Sequence, residues 1–362
     1  MDGLLAINKP IGISSAECVS QVQRALSRTS IWKNEYQRLL QTEKSPQMLK
    51  KLRRTKGRIK IGHGGTLDLQ ASGVLVLGIN RGTKKLQDYL LSTKTYETVA
   101  LLGCSTDTYD MEGRLIKIGE DPSNFTNEQI EQVLQQFKGT IKQMPPLYSA
   151  LKMNGKPLYE YARSGKSLPR DIQVRTATIS ALEMTEGMVW DHEYPLPHTK
   201  ADKGMIHFEE VLRERLQKAQ QDQLKEDEEN ENENKNENGK PSLKRSASDD
   251  RETKRPALDP AVEPDNTTND ENQIEVPETV DIPFKCPVVK LSATVSSGVY
   301  IRSLVNEIGY TLGTEAFISK LTRTRCKQWE LGKNVFELDR IANEPEEQWL
   351  DEVLETLKQS ME

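Results

Sequence analysis

The chain has 362 residues, with 50 Lys and Arg against 55 Asp and Glu and only four cysteines. That length allows one large domain or two ordinary ones. Cys18, Cys104, Cys286 and Cys326 lie far apart with no Cys-x-x-Cys spacing, which argues against a zinc site and a disulfide framework, and no run of eighteen apolar residues is available to span a bilayer.

The charge is unevenly placed. Residues 1–190 hold 27 basic and 18 acidic side chains, 191–282 hold 13 and 25, 283–336 hold 8 and 3, and 337–362 hold 2 and 9. The two net-positive blocks are also those with apolar periodicity, so the parts expected to fold carry the charge that docking on a phosphate backbone needs. The first strand-like run begins at Gly3, leaving no room for a cleavable leader. The expected location is intracellular, in nucleus, cytoplasm or mitochondrion.

Leu4 to Ile7 predicts a strand, followed by a turn at Lys9-Pro10-Ile11-Gly12. Ser14 and Glu17 form a capping-box pattern opening a helix with Val19, Val22 and Leu26 on its apolar stripe. Residues 33–60 read as a basic insertion. Its stretch Lys44 to Lys60 holds eight basic side chains (Lys44, Lys50, Lys51, Arg53, Arg54, Lys56, Arg58, Lys60) and no acid, and runs directly into Gly62-His63-Gly64-Gly65-Thr66-Leu67-Asp68. Gly73 to Ile79 predicts a strand, Gly82 to Leu91 a short helix, and Lys94 to Gly103 a strand. Thr126 with Gln129 is a second capping box, opening a helix through Phe137. The Pro145-Pro146 pair requires an extended loop or edge segment over Met144 to Lys152, and Val174 to Met184 predicts another strand.

From 191 to 282 acidic runs and sparse apolar residues predict a mostly disordered insertion, so that deleting 200–275 is expected to leave activity intact. Within it, Lys244-Arg245 and Lys254-Arg255 have the spacing of a bipartite nuclear signal. Folding is expected to resume with a strand over Pro287 to Ser297, a helix carrying Ile301, Leu304, Val305 and Ile308, and a strand over Phe317 to Leu321. Residues 337–362 predict an acidic helical tail with Trp349, Val353 and Leu357 at four-residue spacing. Strands interspersed with helices without strict βαβ alternation indicate an α+β fold with a mixed sheet.

Three glycines around His63 and ending at Asp68 let backbone approach a ligand while presenting one carboxylate. Four further segments accompany it in order: Ala6-Ile7-Asn8-Lys9-Pro10-Ile11-Gly12-Ile13-Ser14-Ser15, Lys94-Thr95-Tyr96-Glu97, Pro145-Pro146-Leu147-Tyr148-Ser149-Ala150-Leu151-Lys152, and Ser297-Gly298-Val299-Tyr300-Ile301-Arg302-Ser303-Leu304. On these five segments the sequence resembles the TruB family of tRNA pseudouridine synthases, especially its fungal members, which modify uridine 55 in the TΨC loop.

The resemblance implies the pseudouridine synthase fold: a mixed, largely antiparallel central sheet with flanking helices, made of 1–190 and 283–336 around the insertion, with too few residues after Leu321 for a PUA domain. It implies catalytic roles for Asp68 as nucleophile, Tyr96 stacking on the flipped base and taking the C5 proton, and Arg302 holding Asp68 through a forked hydrogen-bond pair. It implies substrate contacts at His63, Tyr300, Leu321 and Lys152, with Tyr148 in a supporting segment. Lys50, Lys51, Arg53, Arg54, Lys56, Arg58 and Lys60 are the expected backbone-phosphate contacts.

Moving a base from N1 to C5 on the same sugar needs no redox partner, so no cofactor and no metal are expected. An Asp of ordinary pKa, about 3.9, is ionised at neutral pH; attack at C1′, attack at C6 and elimination to a glycal all remain open. The expected partner is the TΨC arm of tRNA, with imitating messenger-RNA hairpins as further substrates, no membrane, no obligatory protein partner, and a monomeric enzyme. The family follows its Asp with Pro-Leu; Leu69-Gln70 stands here, which puts the rigidity of the turn in question. Competing readings are an RNA-guided relative acting on ribosomal RNA, a tRNA-folding factor without catalysis, and a nucleoside hydrolase, which would need a metal or clustered acids.

Overall fold

A computed structural model describes residues 1–164, 168–236 and 279–362. Strand β1 (Gly3–Lys9) is followed by helix α1 (Ser15–Arg28), capped where Ser14 Oγ accepts from Glu17 N at 3.0 Å. Only that half of the expected box forms, because the Glu17 side chain pairs with Arg24 instead. The basic insertion is two helices: α2 (Ser30–Thr42), anchored by buried Trp32, whose indole N–H donates to Gly57 O at 2.6 Å, and α3 (Pro46–Thr55), closed by Lys56 at φ 52°. Their apolar residues are too few for periodicity to announce them, but caps at Thr29 and Ser45 start both.

Next come β2 (Ile61–His63), β3 (Ala71–Ile79), a 3₁₀ turn, α4 (Leu86–Leu90) and β4 (Lys94–Leu102). A hairpin of β5 (Cys104–Thr106) and β6 (Leu115–Ile118) precedes α5 (Asn127–Gln136), where both halves of the Thr126/Gln129 box form. Strand β7 (Gly139–Gln143) leads into the irregular Pro-Pro segment, the small hairpin β8 (Lys152–Met153) and β9 (Lys156–Pro157), helix α6 (Leu158–Arg163), and the 15-residue strand β10 (Arg175–Val189). After helix α7 (Lys203–Asn236) come β11 (Val288–Val295), α8 (Ile301–Thr311), β12 (Ala316–Cys326), β13 (Trp329–Glu330), β14 (Phe336–Glu337), α9 (Leu338–Asn343) and α10 (Leu350–Gln359).

The main sheet has ten strands in the order β14-β1-β3-β12-β4-β11-β10-β7, with β13 added to β12 and β2 to β3. The β1–β14 and β3–β12 pairs are parallel and the others antiparallel. This is the mixed, largely antiparallel α+β sheet that the motifs imply. Strands β1 and β3 are buried on both faces, so they read as continuous apolar runs rather than alternating ones. On one face Leu5, Ile7, Leu75 and Leu77 pack with α1, α8 and α10; on the other Leu4, Ala6, Val74 and Val76 pack with Tyr89 and Trp329.

Two expectations need correction. The acidic block is not disordered from 191 onward. Tyr194 and Leu196 pack beside Phe317, and α7 buries Leu212 and Leu216 against Met144, Leu147 and Leu158, because Met205, Phe208, Leu212 and Leu216 recur at helical spacing. Lys244-Arg245 and Lys254-Arg255 lie outside the described residues. The C-terminal block is no appendage: α10 begins after Trp349 and inserts Val353 and Leu357 into the main core, while Leu4 N donates to Ser360 Oγ at 2.7 Å. All four cysteines are free and buried.

Helix α8 carries one costly residue. Glu307 is half-buried, but both its carboxylate oxygens are buried and neither is hydrogen-bonded among the described residues, and burial pushes its carboxyl up to about 8, against the pull of Arg213. The folded chain therefore holds a proton there that the unfolded chain releases near the ordinary glutamate value, so this contribution to stability falls as pH rises toward 8. We predict that Glu307→Gln matches wild type in urea unfolding near pH 5 but is more stable by about 1–3 kcal/mol above pH 8. Equal midpoints at both pH values would contradict this.

Candidate active site

Strand β3 pairs with β12 over Ala71–Gly73 and with β2 over Leu77–Ile79, and among the described residues its middle has no strand partner on that side. Buried Arg323 fills this gap. Its Nε donates to Val74 O at 2.7 Å and its Nη2 to Gly65 O at 3.1 Å, while Gly64 N donates to Val76 O at 2.8 Å. Gly65 at φ 135° and Gly73 at φ 103° take backbone conformations closed to other residues, and a side chain at Gly73 would meet Arg323 O at 2.2 Å. The glycine-rich loop is thus sewn to the sheet and delivers Asp68 at its end.

The turn around Asp68 is held from the first motif. Ser15 Oγ lies 2.9 Å from Leu67 N and 3.1 Å from Leu67 O, bonding both. Beyond Asp68, Leu69 O accepts from Gly12 N at 3.0 Å and from Lys9 Nζ at 3.2 Å. Lys9 is fully buried; its other bonds go to Pro10 O and Ile13 O, so three ammonium hydrogens meet three carbonyls. Burial lowers it to about 8, which still leaves it mainly charged at neutral pH. Both neighbours of Asp68 are therefore fixed by hydrogen bonds, and the turn without proline is rigid by another route. Gln70 adds a bond to Glu112 at 2.9 Å.

Arg302, at the start of α8, has a side chain only 6% exposed, and its Nε donates to Asp68 Oδ2 at 2.8 Å; Asp68 itself is 45% exposed. The expected fork does not form on Asp68. Nη1 donates instead to Thr108 O at 2.7 Å and Nη2 to Tyr148 O at 2.8 Å, so the guanidinium is fixed by two carbonyls and presents one edge to the carboxylate. A second acid, Asp110, stands 3.6 Å from Nη1 and accepts from Thr108 Oγ1 at 2.6 Å. Burial raises its carboxyl above the usual range despite Arg302 and Thr108. Sequence reading missed Asp110; Thr106-Asp107-Thr108-Tyr109-Asp110 offers turn-forming residues but nothing that announces an arginine partner. It also missed Gln143, whose side-chain amide makes reciprocal bonds with Tyr300 N (2.8 Å) and Tyr300 O (3.1 Å) and so fixes the residue that starts α8.

Asp68 opens onto a cleft of about 250 Å³, lined also by Tyr96, Leu321, Tyr300, Val299 and Ala150. Tyr96 comes from β4, half-buried; Leu321 comes from β12, buried; Tyr300 precedes α8. The cleft thus has one anion, Asp68, held by Arg302, with Lys94 and Arg323 also in its lining, aromatic side chains beside it and partly apolar walls. His63 sits in β2, outside the cleft lining, where burial and the Arg323 charge lower its imidazole and keep it neutral. Lys152 is exposed on the β8–β9 hairpin, outside the cleft lining. Tyr148, four residues earlier in the same motif, contributes one of the carbonyls that hold Arg302. Lys50, Lys51, Arg53, Arg54, Lys56, Arg58 and Lys60 are all exposed, on α3 and the strand-ward loop after it, and Lys60 bonds Thr83 at 3.0 Å.

A mixed sheet thus presents a half-exposed aspartate, an immobilised arginine and a tyrosine in one cleft. Residues 50–204 match the N-terminal domain of the TruB family pseudouridylate synthases. The chain is 36% identical to tRNA pseudouridine synthase 4 of Saccharomyces cerevisiae over 98% of its own length and 85% of that protein. It is 36% identical to the Schizosaccharomyces pombe protein of the same name, over 94% and 82%. With tRNA pseudouridine synthase B of Azoarcus sp. it shares 48% identity over 51% of this chain and 50% of that one. The chain belongs to the TruB family.

Proposed function

We propose that this chain isomerises uridine to pseudouridine in tRNA, at position 55 of the TΨC loop, with Asp68 as the nucleophilic carboxylate. The observation that carries the reading is the Asp68–Arg302 contact at 2.8 Å on the wall of a cleft that Tyr96 also lines. The N1–C1′ bond breaks, the base turns within the cleft, C5 joins C1′, the C5 hydrogen leaves to solvent and N1 gains a proton. Arg302 aims the carboxylate, Tyr96 stacks on the extruded base and takes the C5 proton, and Tyr300 and Leu321 close the pocket on the base. His63 lies against the loop from which the base is drawn.

The exposed cations of α3 and the loop to Lys60 supply phosphate contacts, which add affinity without reading sequence. Messenger-RNA hairpins shaped like the TΨC loop are substrates in the same reading, the enzyme works as a monomer without an obligatory protein partner, and it acts inside the cell. The purified full chain, given unmodified tRNA labelled with tritium at uridine C5 and no cofactor, is expected to release one equivalent of tritium per tRNA. Absence of release would remove the proposal. Replacing Lys50, Lys51, Arg53 and Arg54 by Gln is expected to weaken tRNA binding and flatten its dependence on salt by up to about four units of log–log slope; an unchanged slope would exclude this face from the RNA interface.

A further inference from the structure

Helix α7 stands behind both carbonyls that orient Arg302. One is Thr108 O, in the turn after β5. The next residue, Tyr109, adopts φ 60°, a conformation that bulky residues hold only when their surroundings enforce it. Its backbone carbonyl accepts from Ile318 N at 3.0 Å, and its buried hydroxyl donates to the carboxylate of Glu209 on α7. Tyr109 thus sits between Thr108 and Asp110, which both face Arg302, and points the other way into α7.

The second carbonyl is Tyr148 O. Its segment packs on α7 through Met144, Leu147 and Leu158 against Leu212 and Leu216. A third contact pins the helix. Arg213 forks onto Glu315 at 2.7 and 2.9 Å, with its guanidinium 4.7 Å above the Tyr310 ring of α8, and Lys117 reaches the same carboxylate at 3.0 Å. Glu315 directly precedes β12, so α7 is tied to the sheet, to α8 and to both Arg302-holding segments.

We propose that α7 is a positioning element of the isomerisation: Glu209 and the apolar face at Leu212 and Leu216 fix the two carbonyls that aim Arg302, and Arg302 aims Asp68. The inference rests on the reading of the cleft as an isomerase site. It assigns Glu209 to positioning, since it acts through Tyr109 and touches no substrate. Deletion of 200–275 is therefore expected to impair the reaction, whereas loss of 237–278 alone is not.

The test uses the full chain and reads the single-turnover rate of tritium release separately from the tRNA dissociation constant. Glu209→Leu is expected to lower the rate roughly ten- to hundredfold, because small misplacement of reacting groups has large rate effects, with tRNA affinity unchanged. Glu209→Gln, which still accepts from Tyr109, is expected to keep most of the rate. Adding Tyr109→Phe to Glu209→Leu is expected to recover part of the loss by removing the orphaned hydroxyl. A chain with 237–278 replaced by a short Gly-Ser linker is expected to react at the wild-type rate.

A folded Glu209→Leu that reacts like wild type, or that loses only affinity, overturns the proposal, as does a loss of rate in the linker variant. If Glu209→Leu does not fold, Leu212→Ala gives the same reading, and a folded, fully active Leu212→Ala overturns it. Wild type without activity would instead sink the isomerase reading, so the two failures are distinct.

Discussion

Asp68→Asn is expected to abolish isomerisation while leaving tRNA binding intact or slightly tighter. The substitution keeps the size of the side chain and an oxygen to accept from Arg302 Nε, 2.8 Å away in the wild type, but removes the nucleophilic anion. Loss of a unique nucleophile costs about 10⁴-fold or more in rate. Removing one negative charge from a cleft that receives a polyanion favours binding. The check is single-turnover tritium release alongside filter binding. Release by the Asn variant at the wild-type rate would reject Asp68 as nucleophile, and loss of binding would mean that Asp68 serves the fold or the RNA contact instead.

Arg302→Met should damage both rate and stability. It removes the guanidinium that serves Asp68, Thr108 O and Tyr148 O together and that stands 3.6 Å from the second acid, Asp110. The expected rate loss is roughly 10²–10³-fold, the size seen when one preorganised electrostatic contact is removed. The expected destabilisation is about 2–3 kcal/mol, less than for a fully buried pair because Asp68 is nearly half exposed. Arg302→Lys should recover little of the rate, since one ammonium cannot reach three acceptors in a plane. Urea unfolding at pH 7 and the same tritium assay measure both effects. A fully active Arg302→Lys would show that charge alone, not the fixed guanidinium plane, is required.

Much of this site is legible in the sequence because its chemistry sits in short, glycine-marked segments. Asp68 and Arg302 lie 234 positions apart and meet, and Tyr96, Tyr300 and Leu321 share their cleft. The less legible parts depend on tertiary contacts that leave little local trace. Asp110 looks like any turn aspartate until Arg302 is placed beside it. The rigidity of Leu69 depends on a buried lysine sixty residues earlier, which pattern reading takes for a polar turn residue. Lys152 shares a motif with Tyr148, whose backbone carbonyl holds Arg302, a role that no side-chain pattern announces.

The fold followed the same rule. Strands buried on both faces, β1 and β3, stand out as apolar runs, and α8 carries an unmistakable stripe. Helix α7 was hidden because its apolar residues are diluted by charge and lie in a block whose average composition is that of a solvated linker. In its first half Glu209, Leu212, Arg213 and Leu216 all find partners. Composition averages over ninety residues, while packing is decided by four.

The most direct measurement is position-resolved mapping of pseudouridine in an unmodified tRNA transcript incubated with the purified full chain alone. One pseudouridine at position 55, absent when Asp68→Asn replaces the wild type, is the predicted result. No isomerisation at any position, or the same product from the Asn variant, would contradict the account.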